Sequence, residues 1–323
     1  MIRKDGVLSM SSFFSQKERG HGMKIRRWIG LGSALALVLV SLAGCGVADF
    51  AKDEISKKME SVVVGTAKDV ESISTDRYAY QQLSDEEKKV YDQQLDCILN
   101  HQEKVPVSTK DANVIQKAYD CIMADYGGLF WVSGYQYNTY SNMDRVVGIE
   151  FAPQYLYDEA QAKEYQAQVD AVVEQWLAGI GPEDSDYAKS KYVFETLIQN
   201  VEYVKESENN QNILSVFIGK QTVCQGYAGA TQYLLQQLGI QSTIIHGQAN
   251  GEAHAWNLVS LNGEYYLTDT TWGNSRYLMQ DNSVQKQIDY QYLNTTSEFL
   301  NQTHVAQMNI PLPECTATAD AYH

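Results

Sequence analysis

The chain has 323 residues, of which 44% are hydrophobic and 20% charged, a composition typical of a folded protein with enough apolar residues for a sizeable core. Its formal net charge at pH 7 is −15, and the first 44 residues hold seven of the basic but only two of the acidic side chains. The rest of the chain therefore has 18 basic and 38 acidic side chains, a net charge of −20. This balance argues against nucleic acid as a partner, because phosphate binding needs a positive surface.

The beginning of the chain has the order of a secretory signal. Met23 to Trp28 is basic, Ile29 to Val40 is apolar and interrupted only by small residues, and Leu42-Ala43-Gly44-Cys45 follows at once. The apolar run is too short for a membrane-spanning helix. The last four residues resemble the bacterial lipobox, which implies cleavage before Cys45 and attachment of lipid to it. We therefore expect residues 1–44 to be an upstream segment and a signal peptide, and the mature protein to be extracytoplasmic and lipid-anchored to the bacterial cell membrane.

Two regions of different composition follow the predicted lipid site. Residues 45–76 are charged, contain many small residues and are weakly periodic, which predicts a tether. Residues 77–181 predict an N-terminal α+β domain that ends at the helix-breaking Gly181-Pro182. Its expected elements are a helix capped by Ser84, a helix from about Asp111 to Gly127, strands over Phe130–Tyr135 and Arg145–Phe151, the second closed by Pro153, and a helix over Asp158–Leu177.

Residues 182–323 predict a second domain with one cysteine in a special position. A helix is expected over Asp186–Gln199, and a later apolar stripe at helical spacing predicts a helix that begins near Cys224 and stops at Gly239. The first turn of a helix has unpaired N–H groups and a dipole that favour an anion, so a thiolate at Cys224 is stabilised there. Taken alone, however, an arbitrary cysteine is better interpreted as a small buried hydrophobic side chain.

A hairpin after this helix brings a histidine and a carboxylate together. The expected elements are a strand over Ser242–Gly247, a loop over Gln248–Glu252, a strand over Ala253–Leu261, a turn at Asn262-Gly263 and a strand over Glu264–Trp272. Asn-Gly is the strongest signal for a two-residue hairpin loop, and it places Leu261 opposite Glu264. In this register His254 and Asp269 share one face and are diagonal neighbours, which puts their side chains within reach of each other.

These three residues are the parts of an activated nucleophile. We expect Cys224 to attack a carbonyl carbon, His254 to take the thiol proton, and Asp269 to fix the tautomer of His254. His246 is interpreted as structural, because no carboxylate follows it at hairpin spacing. A metal site of His246, His254 and Asp269 is disfavoured, since the chain has neither a Cys-x-x-Cys nor a His-x-x-x-His motif, and no cofactor is expected.

Three stretches of the chain resemble the motifs of a known superfamily. Thr222–Ala230, Glu252–Val259 and Glu264–Trp272 look like the cysteine, histidine and aspartate motifs of the transglutaminase-like superfamily, in the same chain order. The resemblance covers roughly residues 185–275, whereas the N-terminal domain matches none of its motifs and looks like the extension found in some bacterial lipoproteins with this domain. The resemblance implies a papain-like α+β fold, with the cysteine-bearing helix packed on an antiparallel sheet, and the roles of nucleophile, general base and orienting carboxylate for the three residues.

Together, the residues and the resemblance predict an extracytoplasmic enzyme that transfers acyl groups from amide bonds of proteins or peptides through a thioester on Cys224. Hydrolysis, as in a cysteine peptidase, and transfer to an amine, as in a transglutaminase, use the same residues, so the sequence leaves both open. An acetyl-transferring enzyme would need a coenzyme site, and no Gly-rich or Arg-rich motif indicates one. The alternative from another class is a non-catalytic surface binding module that keeps the fold.

The remaining candidate residues have less specific patterns. Trp256 and Trp272 flank the predicted strands and are interpreted either as core residues or as walls of a cleft. The N–H of the nucleophilic cysteine is one oxyanion donor by position, and Gln221 is a candidate for a second. His101 and His304 lie in polar segments and are assigned no role. The other cysteines of the folded part are expected to be free and buried, although secretion permits a disulfide: Cys97, Cys121 and Cys315.

Overall fold

The computed structural model describes residues 2–9, 65–142, 145–278 and 284–322. The predicted signal peptide beginning at Met23, the lipid attachment at Cys45 and the first part of the predicted tether lie outside these residues. The described residues form two compact units. The first comprises residues 2–9, 65–71, 85–116, 133–142 and 145–154, and the second comprises residues 72–84, 117–132, 155–278 and 284–322. The predicted domain limits at residues 76 and 181 stay predictions.

Helices and mostly antiparallel strands make up the described part of the chain. The helices are α1 (Tyr78–Gln81), α2 (Asp85–Leu99), α3 (Ala112–Asp125), α4 (Glu159–Leu177), α5 (Asp186–Asn200), α6 (Leu214–Phe217), α7 (Cys224–Gln237), α8 (Thr270–Gly273) and α9 (Ser297–Leu300), with a 3₁₀ turn at Tyr290–Tyr292. The strands are β1 (Ile2–Ser9), β2 (Val105–Val107), β3 (Val132–Asn142), β4 (Arg145–Tyr155), β5 (Glu202–Tyr203), β6 (Gln221–Thr222), β7 (Ser242–Ala249), β8 (Glu252–Leu261), β9 (Glu264–Thr268), β10 (Asn274–Leu278), β11 (Val284–Ile288) and β12 (His304–Ala306). Within the described ranges, no helix is both long and apolar enough to cross a membrane.

The first unit contains a four-stranded sheet in the order β1-β3-β4-β2. Tyr135 of β3 and Phe151 of β4 are both buried, with ring centroids 5.5 Å apart. The prediction that Pro153 closes the second strand is wrong, because β4 continues to Tyr155. Proline donates no N–H to a sheet. It is tolerated here because β2 pairs with residues 149–151 of β4 and ends before residue 153.

The second unit is built on an antiparallel sheet in the order β12-β7-β8-β9. Two Asn-Gly turns connect its central strands, Asn250-Gly251 and Asn262-Gly263, and all four residues have positive φ, between 49° and 85°. This conformation is the one that a two-residue type I′ turn requires. The predicted pairing of Leu261 with Glu264 is confirmed. The predicted loop over Gln248–Glu252 is wrong, since the first Asn-Gly pair forms a tight turn between β7 and β8.

Helix α7 packs on this sheet and begins at Cys224, as predicted. Small and branched apolar residues form the contact, where Ala228 of the helix meets Ile244 of β7 and Ala255 of β8. The Nδ2 group of Asn257 donates a hydrogen bond to the carbonyl oxygen of Ala228 at 3.0 Å, which ties the helix to β8. The α+β fold, with a cysteine-bearing helix packed on an antiparallel sheet, is thereby confirmed.

The last strand of the predicted hairpin is shorter than expected. β9 ends at Thr268, and the prediction of a strand through Trp272 is wrong, because the chain turns there into helix α8. Asp269 caps this helix: its Oδ1 accepts hydrogen bonds from the N–H groups of Thr271 and Trp272 at 2.9 and 3.0 Å. An aspartate side chain that bonds the following N–H groups competes with strand pairing, which explains the end of the ladder.

Candidate active site

Cys224 is the first residue of α7, a helix of 14 residues. The residue before it, Val223, is extended, so the chain passes from strand β6 almost directly into the helix. Gly226 permits this close approach, because a Cβ atom there would lie 1.9 Å from Oγ1 of Thr222. Cys224 is only partly buried, whereas the other cysteines of the described residues are buried: Cys97, Cys121 and Cys315. Cys224 is therefore the cysteine best placed, within the described ranges, to meet a substrate.

His254 lies on β8 and bonds Asp269. Its Nε2 lies 2.8 Å from Oδ2 of Asp269, and both side chains are buried. Asp269 reaches the imidazole from the cap of α8 and not from a paired strand position, since the β8–β9 ladder ends at Asn257 and Thr268. Cys224 is within hydrogen-bonding reach of His254. Because Asp269 occupies Nε2, Nδ1 is the ring nitrogen left for the thiol.

The carboxylate of Asp269 is held by a complete set of donors. Oδ1 accepts from two backbone N–H groups at the start of α8. Oδ2 lies 2.8 Å from Nε2 of His254 and 3.1 Å from Nε2 of a second histidine, His304. Sequence analysis assigned His304 no role, because its segment is polar and short, and no local pattern shows that β12 pairs with β7. This residue is the main part of the site that sequence reasoning missed.

The protonation states of this group follow from burial and mutual attraction. Burial by itself lowers the pKa of His254, but the charge and hydrogen bond of Asp269, with the hydrogen bond to Cys224, outweigh burial and raise the pKa of His254 above its ordinary value. Burial by itself raises the pKa of Asp269, but His254, His304 and the Trp272 amide lower it below its ordinary value. The site is therefore built to keep Asp269 ionised and to stabilise a protonated His254.

Two tryptophans enclose the two histidines. The ring of Trp256 is buried and stacks on His254 with centroids 6.0 Å apart, and its edge meets His304 at 5.0 Å. Trp272 lies 4.7 Å from His304 and 6.0 Å from His254. Trp256 is thus a core residue, while the partly exposed Trp272 also covers the imidazoles. Aromatic walls of this kind exclude water and strengthen the electrostatic interactions between the enclosed groups.

Three further residues bear on the interpretation of the site: His246, Tyr203 and Gln221. His246 is buried, which lowers its pKa to about 4, and its Nε2 lies 2.9 Å from Oε1 of Gln225, so it is a neutral structural histidine as expected. Burial, followed by the charges of Cys224, Glu252 and Asp269, raises the pKa of Tyr203. Gln221 is exposed on β6, and its assignment as an oxyanion donor stays a prediction.

The two histidines that bond Asp269, together with Asp269 itself, can also be considered as metal ligands. Donor atoms of His254, Asp269 and His304 lie within 4.8 Å of one another. Ligand atoms about 2.0 Å from a tetrahedral zinc ion are roughly 3.3 Å apart. The two histidine nitrogens lie 2.8 and 3.1 Å from the shared carboxylate oxygen, which are ordinary hydrogen-bond lengths. We therefore interpret the three residues as a hydrogen-bonded group, in which the carboxylate oxygen accepts from both imidazoles.

The arrangement has the parts that nucleophilic catalysis requires. A thiol at a helix N-terminus lies beside an imidazole, and the imidazole is oriented by a buried carboxylate. Such a histidine can accept the thiol proton, hold it next to the thiolate, and later return it to a leaving group.

Comparisons with known proteins find similarity over part of the chain. The model of the transglutaminase-like superfamily matches residues 174–272. The kyphoscoliosis peptidase of Mus musculus is 24% identical over 136 residues, which are 36% of this chain and 21% of the relative. The kyphoscoliosis peptidase of Homo sapiens is 33% identical over 66 residues, 17% of this chain and 10% of the relative. The chain thus spans only a small part of the length of these relatives.

Solved structures show distant similarity. A crystal structure of a TGase has 14% sequence identity and a TM-score of 0.32, and the similarity covers 56% of this chain and 54% of that chain. An arylamine N-acetyltransferase from Bacillus cereus, described as having a Cys-His-Glu catalytic triad, has 15% identity and a TM-score of 0.25 over 38% of this chain and 58% of that chain.

Proposed function

Residues 174–272 form a transglutaminase-like domain, and we propose on this basis that the protein is a cysteine-dependent enzyme that transfers acyl groups from amide bonds of proteins or peptides. One observation carries the proposal: His254 bonds Asp269 through Nε2 at 2.8 Å and has Cys224 within hydrogen-bonding reach. The relatives named peptidases support an amide as the bond that is attacked.

The chemical steps assign one role to each residue. His254 takes the proton of the Cys224 thiol at Nδ1, and the thiolate sulfur attacks the carbonyl carbon of the amide. The resulting oxyanion collapses, the C–N bond breaks, and the leaving amine takes the proton from His254. A thioester between the acyl group and Cys224 remains. Asp269 stays ionised throughout, keeps the proton of Nε2 in place and stabilises the imidazolium.

The second half of the reaction distinguishes two enzymes of one class. If water attacks the thioester, His254 accepts a proton from it, and the products are a carboxylic acid and the free thiol. If a primary amine attacks, a new amide forms. To separate them, the protein is incubated with a glutamine- and lysine-containing peptide mixture and a labelled primary amine. Mass spectrometry then identifies shortened or deamidated peptides in the first case and amine-labelled peptides in the second.

Selective alkylation of Cys224 tests the proposal before any substrate is known. The native protein is treated with iodoacetamide at neutral pH, and labelling of each cysteine is followed by mass spectrometry. The buried cysteines are internal controls in the same sample, and burial also raises the pKa of Cys315 to about 11. We expect Cys224 to react at least about tenfold faster than a free peptide thiol, because its thiolate is stabilised by the helix N-terminus and by His254.

Two variants complete the test. His254→Ala removes the base and is expected to slow the labelling of Cys224 to the rate of an ordinary thiol. His101→Ala, in the first unit, is the matched control and is expected to leave the rate unchanged. If Cys224 of the native protein reacts no faster than a peptide thiol, and His254→Ala changes nothing, the protein is the binding module that forms the alternative, and the catalytic proposal fails.

We also propose that the enzyme acts outside the cytoplasm, held to the cell membrane by lipid on Cys45. The basic, apolar and small-residue order of residues 23–45 supports this location. Mass spectrometry of protein purified from a bacterial membrane fraction is expected to find a mature chain that begins at a lipid-modified Cys45. An unmodified Cys45, or a retained signal, would exclude the anchor and would leave the proposed chemistry untouched.

A further inference from the structure

His304 reaches the site from the edge of the sheet. It is the first residue of β12, which pairs with β7 in a register that sets His304 opposite Ala249 and Ala306 opposite Gly247. This approach depends on the absence of a side chain in β7, because a Cβ atom on Gly247 would lie 2.2 Å from the carbonyl oxygen of Val305 and 2.8 Å from the ring of Trp256. The fold therefore brings a fully buried histidine to a position next to Asp269.

We propose that His304 is a positioning residue of the site: its Nε2–H group donates to Oδ2 of Asp269 and so completes the set of donors that holds this carboxylate for His254. The proposal rests on the proposed function, since it concerns how the nucleophile is activated. His304 does not touch the thiol and acts through Asp269.

The first argument is the number of donors. An ionised carboxylate offers about four lone-pair sites and no proton. Asp269 has four donors around it, two backbone N–H groups on Oδ1 and two imidazole groups on Oδ2. A buried acceptor that loses one of its donors is left unsatisfied, which favours its neutral, protonated form. A protonated Asp269 has a hydrogen of its own to donate and can no longer accept from every donor around it.

The second argument is the proton on His304 itself. Its Nδ1 lies 2.9 Å from Oγ1 of Thr303. The Thr303 hydroxyl has one proton, and Nδ1 at 2.9 Å is a closer acceptor than the carbonyl oxygen of Leu300 at 3.4 Å. With the hydroxyl donating to Nδ1, the proton of a neutral His304 is on Nε2, where it points to Asp269. A neutral His304 with its proton on Nδ1 would instead place a bare nitrogen 3.1 Å from a carboxylate oxygen, and two acceptors would repel each other. The surroundings thus select the donating tautomer.

Several titratable groups interact with Asp269 and influence the pH dependence of its ionisation. His254 approaches from β8 and His304 from β12. The hydroxyl groups of Tyr203, on β5, and Tyr292, in the 3₁₀ turn, also interact with its charge, and burial raises the pKa of both tyrosines. Both are therefore neutral below pH 10. Loss of the His304 donor is therefore expected to change the rate of Cys224 alkylation on the acidic side of its pH profile, where Asp269 becomes protonated.

Two variants of His304 separate hydrogen bonding from packing. His304→Gln keeps an N–H donor near the position of Nε2 and loses the ring that packs against Trp272 and Trp256. His304→Phe keeps a ring and loses the donor. The rate of Cys224 alkylation by iodoacetamide is measured from pH 4 to pH 9 in both variants and in the unchanged protein. We expect the acidic limb to move up by about one pH unit in His304→Phe and to stay in place in His304→Gln.

NMR keeps this test independent of reactivity. In the unchanged protein, the ¹⁵N shifts of the His304 ring are expected to show the proton on Nε2. The ¹³C shift of the Asp269 carboxyl group is expected to titrate at higher pH in His304→Phe than in His304→Gln. A proton on Nδ1 with a bare Nε2 in the unchanged protein overturns the proposal. The proposal is also overturned if the pH profile of Cys224 alkylation is unchanged in His304→Phe but shifted in His304→Gln, because His304 would then act by ring packing and not by hydrogen bonding. If Cys224 of the unchanged protein proves unreactive, the proposed function fails, while the carboxyl titration still decides the role of His304.

Discussion

Replacement of Asp269 by asparagine is a direct test of how the site directs protons. The carboxylate accepts from donors at 2.8 to 3.1 Å, which are Nε2 of His254, Nε2 of His304 and the N–H groups of Thr271 and Trp272. An asparagine side chain has one oxygen and one NH₂ group, so it cannot accept from all of them. The backbone N–H groups cannot change, and we expect the oxygen to face them and the NH₂ group to face the imidazoles. His254 then carries its proton on Nδ1, where it can no longer accept the proton of Cys224.

The size of the effect follows from the chemistry of thiols. An ordinary thiol with a pKa of about 8.5 is roughly 3% ionised at pH 7, so complete ionisation can raise its alkylation rate by at most about 30-fold. We expect Asp269→Asn to remove most of such a gain and to slow Cys224 labelling by about 10- to 30-fold. Once a substrate is found, turnover is expected to fall by about 10⁴-fold, the loss seen when the wrong histidine tautomer is imposed on a Ser-His-Asp site.

Stability changes in a way that depends on pH. The pKa of Asp269 lies below its ordinary value in the folded protein, so its contribution to the free energy of unfolding is present above about pH 4 and is lost as the pH falls through the folded pKa. Replacing charge-assisted hydrogen bonds by neutral ones is expected to lower the free energy of unfolding at pH 7 by roughly 2–4 kcal/mol. Urea unfolding of the two proteins at pH 7 and at pH 3 is expected to show that the difference becomes smaller in acid.

The control is a second aspartate in the same unit. Asp120 is partly buried, and it accepts a hydrogen bond from Nδ2 of Asn309 at 2.8 Å. Asp120→Asn makes the same chemical change as Asp269→Asn and is expected to leave the labelling rate of Cys224 unchanged. The reasoning is refuted if folded Asp269→Asn protein labels Cys224 as fast as the unchanged protein does, because the orientation of His254 would then not depend on this carboxylate.

Two further predictions concern stability. Burial raises the pKa of Asp120 to about 6 from 3.8, so the folded state favours the protonated carboxyl group; this stabilising contribution is full below about pH 3.8 and lost as the pH rises through 6. Asp120→Asn is therefore expected to raise the free energy of unfolding at pH 7 by up to roughly 3 kcal/mol and to have little effect at pH 3, as measured by urea unfolding. Gly226→Ala puts a Cβ atom 1.9 Å from Oγ1 of Thr222 at the start of α7, and it is expected to cost at least 1–3 kcal/mol and to lower the thermal unfolding midpoint; an unchanged midpoint would contradict the close approach.

Local sequence signals predicted much of the secondary structure around the site. The Asn262-Gly263 pair set the register of β8 and β9, because few other residue pairs adopt positive φ at two successive positions without strain. The same signal was present at Asn250-Gly251 and applies equally, so β7 could have been added to the meander from the sequence. The end of β9 was not predicted, because Asp269 can either continue a strand or cap a helix, and only the surrounding structure selects the cap.

The sequence by itself determined the cysteine-bearing helix and the hairpin after it, and it predicted that His254 and Asp269 lie close together, although from a strand position that Asp269 does not occupy. Helical periodicity and turn chemistry act over a few residues, and a hairpin brings together positions that are only 15 apart. His304 is 35 residues from Asp269, on a strand of three residues whose position depends on the space left by Gly247. No local pattern encodes such a contact, because its geometry comes from the packing of β12 on β7. Tertiary structure alone therefore decided that the carboxylate of this site is shared by two histidines.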